Sequence, residues 1–327
     1  MAYSAQILRR ARQQLAQNKA DAQSQYLQRL QKAYAEVPRL KEIDLELRRS
    51  MTLAAQTVFT QGSDAQAAME EVKQANLALQ KERAQLAEKH FAPGWLEEAV
   101  LCPSCGGSGY MGSTMCACLR KLCVAEQKKA LAQLTSGKET FEKFRLDYYS
   151  DKVDRAFGAS PRAVMELTLK NCRQYAASFD EGAGNLLFVG YTGLGKTFLS
   201  ACIADAVTEK GYSVAYESAP VLFSKLEKNR FNPDEQSRLE AENITGCDLL
   251  IVDDLGTEMS GNFVTAALYS LLNDRLLSGK SMIVSTNLNV DEIAQRYSPQ
   301  IASRLQGDFK RLTFVGDDIR VLKNRGI

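Results

Sequence analysis

Residues 186–200 read Leu-Leu-Phe-Val-Gly-Tyr-Thr-Gly-Leu-Gly-Lys-Thr-Phe-Leu-Ser, an apolar run that breaks into a glycine-rich loop and resumes with helical spacing. A strand, a tight loop and a helix in that order predict a parallel α/β unit. The spacing is G-x-x-x-x-G-K-T, a phosphate-binding loop. Its glycines let the backbone curl so that successive N–H groups converge on one anion, and the helix starting near Lys196 adds its positive end. Gly190, Thr192, Gly193, Leu194, Gly195, Lys196, Thr197 and Phe198 form the expected cradle. Lys196 is expected on the β- and γ-phosphates, and the Thr197 hydroxyl on Mg²⁺. The bland alternative is a glycine turn that binds nothing.

With 327 residues, 45% of them hydrophobic, the chain has room for about two domains and a proper core. Lys and Arg total 41 against 39 Asp and Glu, so any nucleic-acid contact must be local rather than driven by a global basic field. No apolar run approaches a membrane span and the first residues do not form a signal peptide, so a cytoplasmic protein with no membrane partner is expected.

Three regions are expected. Residues 1–90 are rich in Ala, Gln, Leu and charged residues. Leu27, Leu30, Tyr34 and Val37 recur at helical steps, and Pro38 and Gly62-Ser63-Asp64 punctuate the region into about three helices. Their thin apolar stripe suits a hairpin or coiled coil that docks on a partner, or a solvated spacer. Residues 91–135 hold a cysteine-rich knuckle and a linker helix. From residue 136 to 327 strand-like and helix-like segments alternate, with strands expected at Leu186–Val189, Ser213–Glu217, Leu249–Asp253, Met282–Ser285 and Leu312–Val315.

The knuckle offers Cys102, Cys105, Cys116 and Cys118 in two close pairs across a glycine-rich loop. Four thiolates suit a structural Zn²⁺, which would supply folding energy that so small a loop cannot obtain from a core. The second pair is C-x-C, a looser match, so His90 or Cys123 could replace one ligand; an Fe–S cluster or free thiols are the alternatives. Cys172, Cys202 and Cys247 are scattered, as core thiols would be.

A second half of the nucleotide site follows. Leu249-Leu250-Ile251-Val252-Asp253-Asp254 is an apolar strand ending in two carboxylates, expected beside the P-loop strand in the manner of a Walker B motif. Asp253 would hold Mg²⁺ through water, and Asp254 would orient the attacking water, with Glu258 as a substitute base. Met282–Asn287 resembles a sensor 1 strand, with Asn287 placed to reach the attacking water or γ-phosphate. Arg304, in Ile301-Ala302-Ser303-Arg304-Leu305, is a candidate arginine finger for a neighbouring subunit, or a surface salt bridge.

Walker A, Walker B, the Ser-Thr-Asn strand end and Ser-Arg-Leu, in this order, resemble the AAA+ ATPases of the DnaC/DnaI helicase-loader and IstB group. Asp253-Asp254-Leu255-Gly256-Thr257-Glu258 and Gly316-Asp317-Asp318-Ile319-Arg320 strengthen the match, which covers the chain from Phe141 onward. The resemblance implies an α/β AAA+ domain without a full lid, preceded by helices and a zinc knuckle similar to those of DnaI-type loaders, and it suggests Arg320 as a sensor 2 arginine. It further implies ATP hydrolysis with Mg²⁺, self-association into a ring or spiral, a DnaB-type replicative helicase gripped by the N-terminal regions, and single-stranded DNA. Lys225, Lys228, Arg230 and Phe231 are the DNA-contact candidates, unless they merely form the solvated face of a helix. The rivals are an IstB-like transposition helper ATPase, a nucleotide-dependent adaptor with little turnover, and a zinc and coiled-coil DNA-binding protein with a decayed ATPase half.

Overall fold

A computed structural model describes residues 3–57, 65–134, 137, 139–155, 158–180 and 182–324, with the side chains of 51–57 and 65–69 left aside. The expected break at Gly62-Ser63-Asp64 and the end of the linker helix at Thr135 lie outside the described residues. The chain divides into two compact units, one of residues 13–116 and one of residues 1–12 with 117–327.

The first unit is built on helices α1 (Ala5–Glu36, whose first residues belong to the other unit), α2 (Pro38–Thr57) and α3 (Ala65–His90). Pro38 opens α2, where its missing N–H costs no helical bond. Leu30, Ala33, Val37, Leu40 and Leu96 form a small apolar cluster, flanked by Tyr34, Leu86 and a stacked Phe91–Trp95 pair with ring centroids 4.7 Å apart. Arg83–Asp44 at 2.7 Å and Arg39–Glu82 at 2.9 Å join α2 to α3. Half-buried Arg83–Asp44 is screened less than the more exposed Arg39–Glu82, and both fix the register of the two helices. A short hairpin, β1 (Tyr110–Met111) with β2 (Thr114–Met115), ends the unit.

The second unit contains α4 (Ala117–Leu134), α5 (Pro161–Ser178), β3 (Asn185–Val189), α6 (Lys196–Glu209), β4 (Val214–Ser218), α7 (Ala219–Phe231), α8 (Glu235–Gly246), β5 (Leu249–Leu255), α9 (Asn262–Leu277), β6 (Ser281–Thr286), α10 (Val290–Arg296), α11 (Pro299–Gly307), β7 (Phe309–Thr313) and α12 (Ile319–Asn324). Its five strands are parallel in the order β4-β5-β6-β3-β7. Both faces are covered. Phe188 and Ile251 pack toward Leu169 of α5 and Leu199 and Ile203 of α6, while Leu187, Leu250 and Val252 pack toward Leu222 of α7 and Leu268 and Leu272 of α9. Burial on two sides is why the strands read as unbroken apolar runs.

Two expectations are corrected. The Walker B strand β5 does not lie beside the P-loop strand β3, because β6 is inserted between them, its residues Ile283 and Val284 paired with both neighbours. A crossover connection lets strands enter a sheet out of chain order, which no local pattern records. The last strand was expected at Leu312–Val315 but runs from Phe309 to Thr313. Lys310 and Arg311 are exposed on this edge strand and hide its start, and Phe314 donates its N–H to the Val189 carbonyl at 2.8 Å just beyond the strand's end.

Candidate functional site

The P-loop connects the C-terminal end of β3 to α6, at the edge of the sheet where parallel strands leave their carbonyl ends and a ligand can enter. Gly190 approaches the Phe314 carbonyl so closely that a built Cβ would lie 2.4 Å from its oxygen. Gly193 has φ 75°, and a Cβ there would sit 2.0 Å from an Asp318 carboxylate oxygen. Lys196 is buried. Its ammonium donates to the carbonyls of Gly190 at 2.6 Å and Tyr191 at 2.8 Å. Burial pulls its pKa down, while Asp254 and then Asp253 push the other way, so both carboxylates act on this cation.

A cavity of about 340 Å³ opens over the loop, lined by Thr192, Gly193, Leu194, Gly195, Lys196, Thr197 and Phe198. Asp254 and Arg320 close it from the other elements. Arg320 stands on α12, whose first residue Ile319 donates its N–H to the Gly193 carbonyl at 3.0 Å, so this helix is tied directly to the P-loop. Burial, then the neighbouring Asp253, raise the Asp254 pKa above the ordinary carboxylate range, against the pull of Lys196 and Arg320. A phosphate-sized anion would meet backbone N–H groups, Lys196 and Arg320 here, in a cavity that Lys143, Arg145 and Lys323 also line, beside a carboxylate able to accept a proton or a metal-bound water.

The far wall was not anticipated. Two single 3₁₀ turns, Phe141–Lys143 and Leu146–Tyr148, bring Phe144, Tyr148 and Tyr149 to the cavity. Tyr149 is fully buried and donates its hydroxyl to the Leu194 carbonyl at 3.0 Å, while Phe144 packs against Tyr149 and Phe198 with centroids 5.8 and 5.7 Å apart. Tyr148 lies under Arg145 at 4.7 Å and Lys323 at 5.6 Å. An aromatic wall beside a phosphate cradle suits a purine base. The signal available in the sequence was four aromatics in the nine residues from Phe141 to Tyr149.

The remaining candidates fall in different places. Asp253 is buried, and Tyr216 on β4 and Ser285 on β6 donate their hydroxyls to its two carboxylate oxygens. Asn287 is exposed and lines a neighbouring cavity with Gly190, Tyr191 and Leu194. Glu258 accepts from the Gly256 N–H at 2.9 Å, from Tyr297 and from Arg296, and this buried clamp takes it away from the P-loop cavity wall. Arg304 pairs with Asp308 at 3.5 Å across one turn of α11. Lys225 and Lys228 pair with Glu217 at 2.5 Å and Asp234 at 2.8 Å, whereas Phe231 is largely exposed, its ring tilted against Phe263 with centroids 5.5 Å apart.

The sulfurs of Cys102, Cys105, Cys116 and Cys118 lie within 4.8 Å of one another, and neither His90 nor Cys123 joins them. Cys105 accepts the Gly109 N–H at 3.3 Å, and backbone N–H groups of Cys105 and Ser104 lower the Cys102 pKa, favouring the thiolate a metal needs. By contrast, burial raises the Cys123 thiol to about 11. Four convergent sulfurs with backbone donors fit a tetrahedral zinc site.

Residues 124–308 match the family of IstB-like ATP binding proteins. The chain belongs to the IstB-like family. Curated relatives include the replicative helicase loader DnaC of Escherichia coli K12, 22% identical over 138 residues that cover 42% of this chain and 56% of DnaC. Another is the y4uH protein of Sinorhizobium fredii, named as an insertion-sequence ATP-binding protein, 27% identical over 178 residues covering 53% of this chain and 68% of that one. This IstB-like chain therefore spans little more than half the length of the DnaC relatives it matches. A crystal structure of the DnaC helicase loader covers 54% of this chain and 98% of its own, at 22% identity and a TM-score of 0.44. The family and the parallel sheet make the second unit a P-loop AAA+ domain that binds ATP. Among the described residues no helix is long and apolar enough to cross a membrane.

Proposed function

We propose that this IstB-like protein is an Mg²⁺-dependent ATPase that loads a DnaB-type replicative helicase onto single-stranded DNA in the cytoplasm. The observation that carries the reading is the cavity in which Thr197, Lys196, Asp254 and Arg320 meet an aromatic wall, because it gathers in one space the groups that phosphate, metal and base recognition would need. Lys196 and Arg320 would bind the phosphates, Thr197 would ligate Mg²⁺ and Asp254 would orient the attacking water. Asp253 would complete the metal's outer shell from its buried position, and Asn287 would reach the γ-phosphate from the adjoining cavity. Arg304 would serve a neighbouring protomer in a ring or spiral.

The helices of residues 1–90 and the four-cysteine knuckle, holding Zn²⁺, would grip the helicase. Arg230 and Phe231 are favoured over Lys225 and Lys228 as the strand contact, since both lysines are already paired with carboxylates. Similarity to helicase loaders supports the choice of partner. Co-purification tests it: retention of a DnaB-type helicase in an ATP-dependent complex is expected. Retention of a transposase instead would favour the second reading, an IstB-like transposition helper, which the similarity to an insertion-sequence ATP-binding protein supports.

A further inference from the structure

Adjacent residues on a strand point to opposite faces of the sheet, yet Asp253 and Asp254 both act on Lys196 of the P-loop. The backbone resolves this with a break. The β5–β6 register shifts between Val252 and Leu255, and among the described residues Asp254 is the one non-glycine with positive φ, at 56°. An L-residue in that region is disfavoured, aspartate less than most, and its surroundings decide whether it stays there.

Ser285 supplies the hold. Its buried hydroxyl accepts the Asp254 backbone N–H at 2.8 Å and donates to one Asp253 carboxylate oxygen. The other oxygen accepts the Tyr216 hydroxyl at 2.9 Å. The two strands flanking β5 thus each contribute one hydroxyl to the same carboxylate. We propose that Ser285 and Tyr216 are positioning residues, which lock Asp253 between β4 and β6 and thereby keep Asp254 in the left-handed turn that directs its carboxylate into the P-loop cavity. The inference rests on the ATPase reading above and adds to it a reason why hydroxyl residues occupy these two buried strand positions.

The test is steady-state ATP hydrolysis and nucleotide binding by the full chain carrying Ser285→Ala, Tyr216→Phe, Asp254→Asn, and Ser285→Ala combined with Asp254→Asn. Ser285→Ala and Tyr216→Phe are expected to keep nucleotide Kd within about twofold while kcat falls roughly 10- to 100-fold, as losses of supporting hydrogen bonds do. On the Asp254→Asn background, Ser285→Ala should cost less than about twofold more, because the group it positions is already gone. Wild-type kcat in Ser285→Ala, or a loss that multiplies fully onto Asp254→Asn, would overturn the positioning role while leaving the ATPase reading intact. A wild-type protein that binds ATP without turning it over would remove both. If Ser285→Ala does not fold, Tyr216→Phe decides alone, since it deletes one hydroxyl and keeps the ring; unchanged kcat there overturns the proposal.

Discussion

Replacing Gly193 by alanine tests whether α12 is part of the nucleotide site. The new Cβ would lie 2.0, 2.2 and 2.6 Å from Oδ1, Cγ and Oδ2 of Asp318, so the carboxylate must withdraw by more than 1 Å to reach ordinary contact. Asp318 begins α12: its side chain accepts the Arg320 N–H at 2.8 Å, and its carbonyl accepts those of Val321 and Leu322, each at 3.1 Å. Holding alanine at φ 75° costs about 1–2 kcal/mol, and losing the Asp318 cap costs about 1 kcal/mol more. A six-residue helix tied to the P-loop by the Ile319–Gly193 bond relieves this by moving away, and Arg320 leaves the cavity with it. The backbone cost falls on the folded protein with or without ligand and should lower Tm, whereas the lost cap and the displaced Arg320 should appear as nucleotide affinity weakened by about fivefold or more. Titration with a fluorescent ATP analogue reads it. Asp318→Ala has already lost the cap, so Gly193→Ala on that background should cost about 1 kcal/mol less than it does alone. Wild-type affinity in Gly193→Ala, or strictly additive effects, would refute the coupling of α12 to the loop.

Zinc analysis of the purified protein should find about one ion per chain, and Cys118→Ser or chelation should abolish it; a metal-free wild type would refute the zinc assignment. The Asp254 carboxyl is shifted up by burial and by Asp253, so its contribution to stability is present at low pH and is lost as pH rises through its folded value. Asp254→Asn should therefore raise Tm at pH 7–8, with the gain vanishing below the ordinary carboxylate range, and a thermal melt series across pH checks the sign. The same shift should place the acid limb of ATP turnover above the usual carboxylate pKa. Arg304→Ala should leave ATP affinity within about twofold while turnover falls by roughly 10³-fold; unchanged turnover at high protein concentration would leave it a local structural role beside Asp308 and Tyr269. Arg275 is fully buried and donates to carbonyls of Ile244, Thr245, Cys247 and Ser281, so Arg275→Met should cost about 3 kcal/mol or more in urea unfolding, and a loss below about 1 kcal/mol would refute its structural weight.

The parts of the fold that could be read from the sequence are those enforced by local pattern. β3, β5 and β6 are apolar because both faces of the sheet are covered, and their polar terminations coincide with the edge where the loops gather. The Gly190–Thr197 spacing is equally local, since backbone curvature and the start of α6 are decided within eight residues. Phe144, Tyr148 and Tyr149 escaped because 3₁₀ turns carry no helical or strand period. The insertion of β6 between β3 and β5 escaped because strand order is a property of the crossovers.

The Asp253-Asp254 pair marks the limit of motif reading most sharply. Sequence spacing treats the two carboxylates as successive positions on a strand end and divides their roles by order, metal first and water second. The fold also distinguishes them by their hydrogen bonds. Asp253 has both oxygens bonded by Tyr216 and Ser285, residues 37 and 32 positions away, while Asp254 is turned into the cavity by a left-handed backbone conformation that aspartate tolerates better than most residues but that no strand pattern foretells. Neither contact is recognisable in advance, because nothing local links a tyrosine in β4 or the serine of the Ser-Thr-Asn strand end to β5 until the sheet order sets them on either side of it. The role of a carboxylate in such a site is fixed by which of its lone pairs the surrounding fold leaves for the ligand, and that is a tertiary quantity even when the motif that announces the residue is local.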